Sequence, residues 1–111
     1  MKLIYLACPY TAPTLQEMKA RVAEATKAAA ALMLDGYNVF SPLTHSDPIA
    51  DVLGEDNRLN HSFWLLRDFQ ILERCDELHV LKLPGWDTSY GVKLEILKAH
   101  DCGIPVFYIE V

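Results

Sequence analysis

Lys2-Leu3-Ile4-Tyr5-Leu6-Ala7-Cys8-Pro9-Tyr10, followed by Thr11-Ala12-Pro13-Thr14-Leu15-Gln16-Glu17, is the stretch on which the fold turns. The apolar run from Lys2 to Ala7 predicts a buried strand that proline stops. Thr11 to Pro13 is turn material. Thr14, with Glu17 three residues on, forms a capping box that opens a helix running to Asp35. Leu15, Met18, Val22, Ala25, Ala29, Leu32 and Met33 keep helical spacing along it. Gly36 supplies the stop.

The same alternation continues. Tyr37 to Phe40 is a second strand, ended by Ser41-Pro42. Leu43 to Leu59 is the least regular part, with a short helix near Ile49 to Leu53 and a polar loop over Gly54-Glu55-Asp56-Asn57. Asn60 or Ser62 opens a second long helix ending near Cys75, and Glu77 to Leu83 is a third strand. After the loop Pro84-Gly85-Trp86-Asp87, Thr88 or Ser89 caps a helix to about His100, which Gly103 ends. Pro105 to Val111 is the last strand. Strands alternating with helices imply parallel pairing with right-handed crossovers and helices on both faces. The expected fold is α/β, a flavodoxin-like three-layer sandwich with a four-stranded parallel sheet in the order 2-1-3-4.

A length of 111 residues suits a single domain spanning 1–111. Ten Lys+Arg against fifteen Asp+Glu give a formal charge of −5, which argues against a nucleic-acid partner. Three cysteines without CxxC spacing indicate neither a disulfide framework nor a zinc ribbon, and a reducing cytoplasm is the expected compartment. The run Leu3 to Ala7 is too short to span a bilayer. His45, His61, His79 and His100 share no ligand spacing, so no metal and no cofactor is expected.

Open parallel sheets bind ligands at the carboxyl ends of their strands, beside the switch in strand order. That singles out Cys8-Pro9-Tyr10, the stretch from Ser41 to Ser46, and the stretch from Pro84 to Ser89. On the helix from Asn60 to Cys75, Trp64, Leu65, Phe69, Ile71, Leu72 and Cys75 make one apolar arc, opposite Arg67, Gln70, Glu73 and Arg74. Asp68 falls inside that arc with His61 beside it, a costly place for a carboxylate without partners or a cavity. On the last helix Val92, Ile96 and Ala99 face inward, and Glu95 lies at their border. Its neighbours one turn away, Gly91 and Ala99, leave space around a long side chain. The start of that helix, Thr88-Ser89-Tyr90-Gly91, offers backbone N–H groups to an anion. Two inward carboxylates on adjacent helices suit acid–base or nucleophile–acid work on a glycosidic bond.

These residues resemble the nucleoside 2-deoxyribosyltransferase superfamily, which includes the 2′-deoxynucleoside 5′-monophosphate N-hydrolases. Ile4 to Tyr10 is similar to that family's first strand and its exit. Arg67-Asp68-Phe69 through Cys75-Asp76-Glu77-Leu78 is similar to its Asp-bearing helix and the Asp leading into strand three. Ser89-Tyr90-Gly91-Val92-Lys93-Leu94-Glu95 is similar to its Ser-x-Gly-x-x-x-Glu. More closely, Tyr5 to Tyr10, Ser41-Pro42 with His45-Ser46, Glu73 to Leu78 and Gly85-Trp86 look like an uncharacterised bacterial and phage subfamily. Cys8 stands where the family usually has glycine, Lys93 replaces a second glycine common in the hydrolases, and the further C-terminal structure of fuller transferases has no counterpart after the fourth strand.

The resemblance implies that Glu95 is the nucleophile, that Asp68 orients the sugar or protonates the base, and that Tyr5 holds Glu95 or the sugar. It makes Ser89 the 5′-phosphate contact of a nucleotide, and Asp76 a residue that fixes the start of strand three. The remaining expected substrate contacts are Pro9 and Tyr10, His45 and Ser46, Gly91, and Trp64 and Trp86 as stacking faces. The loop from Thr44 to Asn60 is a candidate lid. The expected activity is cleavage or transfer of an N-glycosidic bond in a nucleoside, nucleotide or related N-riboside. The alternatives are a nucleotide-binding sensor without catalysis, and an interaction protein in which no pocket joins Asp68 to Glu95. A homodimer or homotetramer is expected, with no nucleic-acid or membrane partner.

Overall fold

The computed structural model describes residues 2–111. Four strands, β1 (Leu3–Ala7), β2 (Asn38–Phe40), β3 (Glu77–Leu81) and β4 (Val106–Ile109), form one sheet in the order β2-β1-β3-β4. Every pairing is parallel, with Leu3 opposite Asn38, Ile4 opposite Glu77, and Leu78 opposite Val106. This is the expected α/β sandwich and strand order.

Helix α1 (Leu15–Leu34) starts at the capping box: Thr14 Oγ1 accepts from Glu17 N at 3.1 Å, and Glu17 Oε2 accepts from Thr14 N at 3.2 Å. Helix α4 (His61–Leu72) is capped by Asn60, whose Oδ1 accepts from Phe63 N, and α5 (Tyr90–Asp101) by Ser89, whose Oγ accepts from Val92 N. Alternation along β1 divides the core between two faces. Tyr5 and Ala7 pack with Leu72, Leu78, Val80, Val92 and Ala99 beneath α4 and α5. Leu6 and Cys8 pack with Ala25, Ala29 and Leu81 beneath α1. Asp76 ties the edge of this core together, accepting from Leu3 N at 2.7 Å through Oδ2 and donating its own N–H to Leu3 O at 2.8 Å.

The segment from Leu43 to Leu59 differs from expectation. It is almost wholly helical, with α2 spanning Pro42–Leu53 and α3 spanning Glu55–Arg58. Ser41 caps α2 and Pro42 occupies its first turn, where a missing N–H costs nothing. Pro48 lies inside the helix and removes a single ladder bond, the one that would reach Thr44 O. Gly54, at φ +96°, makes the joint between α2 and α3.

Candidate active site

A cavity of about 370 Å³ opens at the carboxyl ends of β1 and β3, where the strand order changes direction. The α2–α3 arm, α4 and the start of α5 wall it, together with the loops leaving β1 and β3. Asp68 and Glu95 both line it.

Glu95 sits in the middle of the buried face of α5, with Val92 and Ala99 on either side, rather than at its border. Its Oε2 accepts a short hydrogen bond from Tyr5 Oη, a hydroxyl buried under the sheet on β1. Gly91, one turn before Glu95, has no atom within 4 Å of where a Cβ would stand, so the helix surface beside the carboxylate is open. Asp68 is half-buried on α4 within the expected arc, where Leu72 and Cys75 are buried and Arg67, Gln70, Glu73 and Arg74 are exposed.

Burial sets the electrostatics. It pushes the Glu95 carboxyl up to about 8; the Tyr5 hydroxyl opposes the rise, and the charge of Asp68 adds to it. Burial likewise pushes Asp68 up to about 7. Tyr5 is held well above its ordinary value by burial and by the charges of Glu95 and Asp68. Burial drives the Cys8 thiol up to about 12 despite nearby Arg21, which leaves it no thiolate to act as a nucleophile near neutral pH.

Tyr10, Ser46, Trp64, Ser89 and Gly91 line the same cavity as the two carboxylates. Three expected contacts do not. Pro9 is fully buried behind the wall. His45 faces a separate recess between α1 and β2, its ring 5.4 Å from that of Phe40. Trp86 packs on the core, its ring 5.5 Å from that of Tyr108. Tyr5 is fully buried outside the cavity lining, and its hydroxyl reaches Glu95.

Sequence reasoning missed the polar wall opposite. Arg58, with a side chain 1% exposed, pairs with Asp47 at 2.7 Å, with Glu55 at 3.0 Å, and with Asp51. Lys19 of α1 pairs with Asp47 at 2.7 Å and Asp51 at 2.6 Å. Asp47 and Asp51 stand four residues apart, a helical spacing visible only once α2 is recognised. Arg21 also lines the cavity, donating to Thr11 O at 2.8 Å and Pro84 O at 3.3 Å. Among the described residues no group of three or more His, Cys, Asp or Glu could hold a metal ion, and no helix is long and apolar enough to cross a membrane.

A family model described as a domain of unknown function (DUF1937) matches residues 2–111. The chain belongs to the DUF1937 family. The DUF1937 chain is also similar in structure to a 2-deoxyribosyltransferase from the psychrotolerant bacterium Bacillus psychrosaccharolyticus. The TM-score is 0.63 at 23% identity, covering 97% of this chain and 72% of that one. At that identity the likeness is one of fold. No curated protein sequence matches the DUF1937 chain.

Proposed function

We propose that this chain is a single-domain member of the nucleoside 2-deoxyribosyltransferase superfamily. On this reading it cleaves or transfers the N-glycosidic bond of a nucleoside, nucleotide or related N-riboside. The observation that carries the reading is the meeting of Glu95, anchored by Tyr5, with Asp68 in one cavity large enough for such a ligand. An interaction protein has no need of that arrangement.

Two neighbouring buried carboxylates resist double ionisation, so over a range near neutrality the pair holds one proton. In the free protein the higher Glu95 value places that proton on Glu95. The Tyr5 O–H, which lowers the Glu95 carboxyl, supports the minor form with charge on Glu95 and the proton on Asp68, and that form is the reactive one. In the first step Glu95 attacks C1′ and forms a glycosyl–enzyme ester. The C1′–N bond breaks, and the proton of Asp68 passes to the departing base. Water, or a second base, then attacks C1′ and releases Glu95, with Asp68 taking back a proton. Water gives hydrolysis and a base gives transfer. Tyr10 and Trp64 supply ring faces for the base, Ser46 and Gly91 border the sugar, and Ser89 at the start of α5 meets a 5′-phosphate. On the same reading the protein works in the cytoplasm as a homodimer or homotetramer, is N-hydrolase-like, and falls in a bacterial and phage subfamily of the superfamily.

A screen of nucleosides and nucleoside 5′-monophosphates, reading free base by chromatography, tests this. Base release by wild type and none by Glu95→Ala is expected, with the variant folded by circular dichroism. Full activity in Glu95→Ala removes the proposal. Ligand-dependent thermal stabilisation without base release replaces it with the sensor reading.

A further inference from the structure

The polar wall of the cavity contains a triangle of side chains with no free rotor. Arg58 Nη1 donates to Tyr10 Oη at 2.6 Å and to Asp47 Oδ1 at 2.7 Å, and Tyr10 Oη donates to Asp47 Oδ1 at 2.9 Å. The rest of the guanidinium is occupied by Asp51 through Nη2 and by Glu55 through Nε at 3.0 Å. One residue earlier, Asn57 O accepts the indole N–H of Trp64 at 2.7 Å. The end of α3 therefore holds the polar tips of both Tyr10 and Trp64, two of the aromatic side chains that line the cavity.

A buried guanidinium gives up its hydration, and ionic clusters of this kind are a weak source of stability, since apolar replacements of the whole set are often neutral or better. What the planar fork does provide is fixed direction, which a flexible ammonium does not. The arm it fixes is a large part of the cavity. Pro42, Leu43, Ser46, Asp47 and Ala50 of α2 line it together with Arg58 of α3, and the two helices meet at a single glycine joint.

We propose that Arg58 is a positioning residue: it locks the α2–α3 arm to Tyr10 and thereby sets the distance between the arm and the α4–α5 wall that carries Asp68 and Glu95. It touches neither carboxylate. Its loss loosens ligand capture and leaves the chemical step in place. The kinetic part rests on the glycosyl-transfer reading; the structural part does not.

The test uses the whole chain as wild type, Arg58→Met, Tyr10→Phe and the double variant. Hydrogen exchange by mass spectrometry is read over residues 42–58, with the β1, β3 and α5 peptides as internal reference. Arg58→Met is expected to speed exchange of the arm at least tenfold with the reference peptides unchanged; equal exchange of the arm overturns the proposal. With the best substrate from the base-release screen, Arg58→Met is expected to raise KM tenfold or more while kcat stays within threefold. Tyr10→Phe moves KM in the same direction, and the double variant falls short of the sum of the two single effects, because both break the Arg58–Tyr10 contact while Tyr10→Phe also loses the bond to Asp47. A fall in kcat at constant KM, or fully additive effects, overturns the role. Where Arg58→Met does not fold, Tyr10→Phe decides, since it removes one hydroxyl and keeps the ion pairs; wild-type exchange and KM in that variant overturn the role. A wild type that releases no base removes the glycosyl-transfer reading and leaves exchange to judge Arg58. A wild type that turns over, with an arm indifferent to Arg58→Met, removes the role of Arg58 alone.

Discussion

Replacing Glu95 by glutamine removes a group whose ionisation the fold resists. Burial lifts its carboxyl from an ordinary 4.5 to about 8. Between those values the native state keeps a proton that the unfolded chain gives up, so stability falls as pH rises. This contribution is fully present below about pH 4.5 and is lost as pH climbs through about 8. By pH 7 the climb covers two and a half units, each worth about 1.4 kcal/mol, which comes to between about 3 and 4 kcal/mol. Glu95→Gln is neutral at every pH and does not carry that slope. Urea unfolding of both proteins from acid to mildly alkaline pH, at fixed ionic strength and followed by far-UV circular dichroism, gives the comparison. The stability of the variant relative to wild type is expected to rise by about 3–4 kcal/mol from pH 4.5 to pH 7. Loss of turnover in the same variant would mark Glu95 as a group kept for chemistry at a cost in stability. In Asp68→Asn the slope that remains is shallower, because the charge that adds to the Glu95 shift is gone. Parallel stability curves for wild type and Glu95→Gln would refute the reasoning, since they would mean that Glu95 ionises in the fold as it does in the unfolded chain.

The productive state of the pair holds one proton, so kcat/KM is expected to follow a bell with its maximum between about 7 and about 8, measured by base release across pH; a rate that is flat from pH 5 to 9 speaks against paired carboxylates. Tyr5→Phe removes the hydrogen bond that lowers the Glu95 carboxyl. Its alkaline limb should move to higher pH and its kcat should fall about tenfold or more, from a bond to a charged group worth about 1.5–3 kcal/mol. Thr14 does not line the cavity, and Thr14→Ala, which breaks the capping box of α1, should cost about 1 kcal/mol in urea unfolding with kcat and KM unchanged.

The sandwich was legible because its signals are local. Proline closes β1, the Thr14–Glu17 box opens α1, and helical spacing survives intact in α4, where Asp68 stands out as a polar residue in an apolar arc. Helix α2 was hidden by its own composition: Pro42 and Pro48 read as breaks, although one sits where helices start and the other removes a single bond. With α2 unread, the pairing of Asp47 and Asp51 with Arg58 had no visible geometry. Glu95 looked peripheral on α5 because Gly91 gives no apolar mark to the face they share, while the packing of α5 on β1 places the carboxylate over Tyr5. Adjacent residues on a helix point about 100° apart, which is why Ser46 faces the cavity and His45 does not. Which way Trp86 turned was decided by Tyr108 on β4, more than twenty residues downstream.

Tyr5 and Glu95 are 90 residues apart in a chain of 111. Each strand pairing bridges a helical crossover, so contacts of this kind form only after the entropy of closing long loops has been met. The hydroxyl leaves the ribosome with the first strand and waits for its carboxylate until the last helix has emerged and docked. On the glycosyl-transfer reading, regain of base release after dilution from denaturant times the final long-range docking event, whereas regain of far-UV ellipticity times the local helices that precede it.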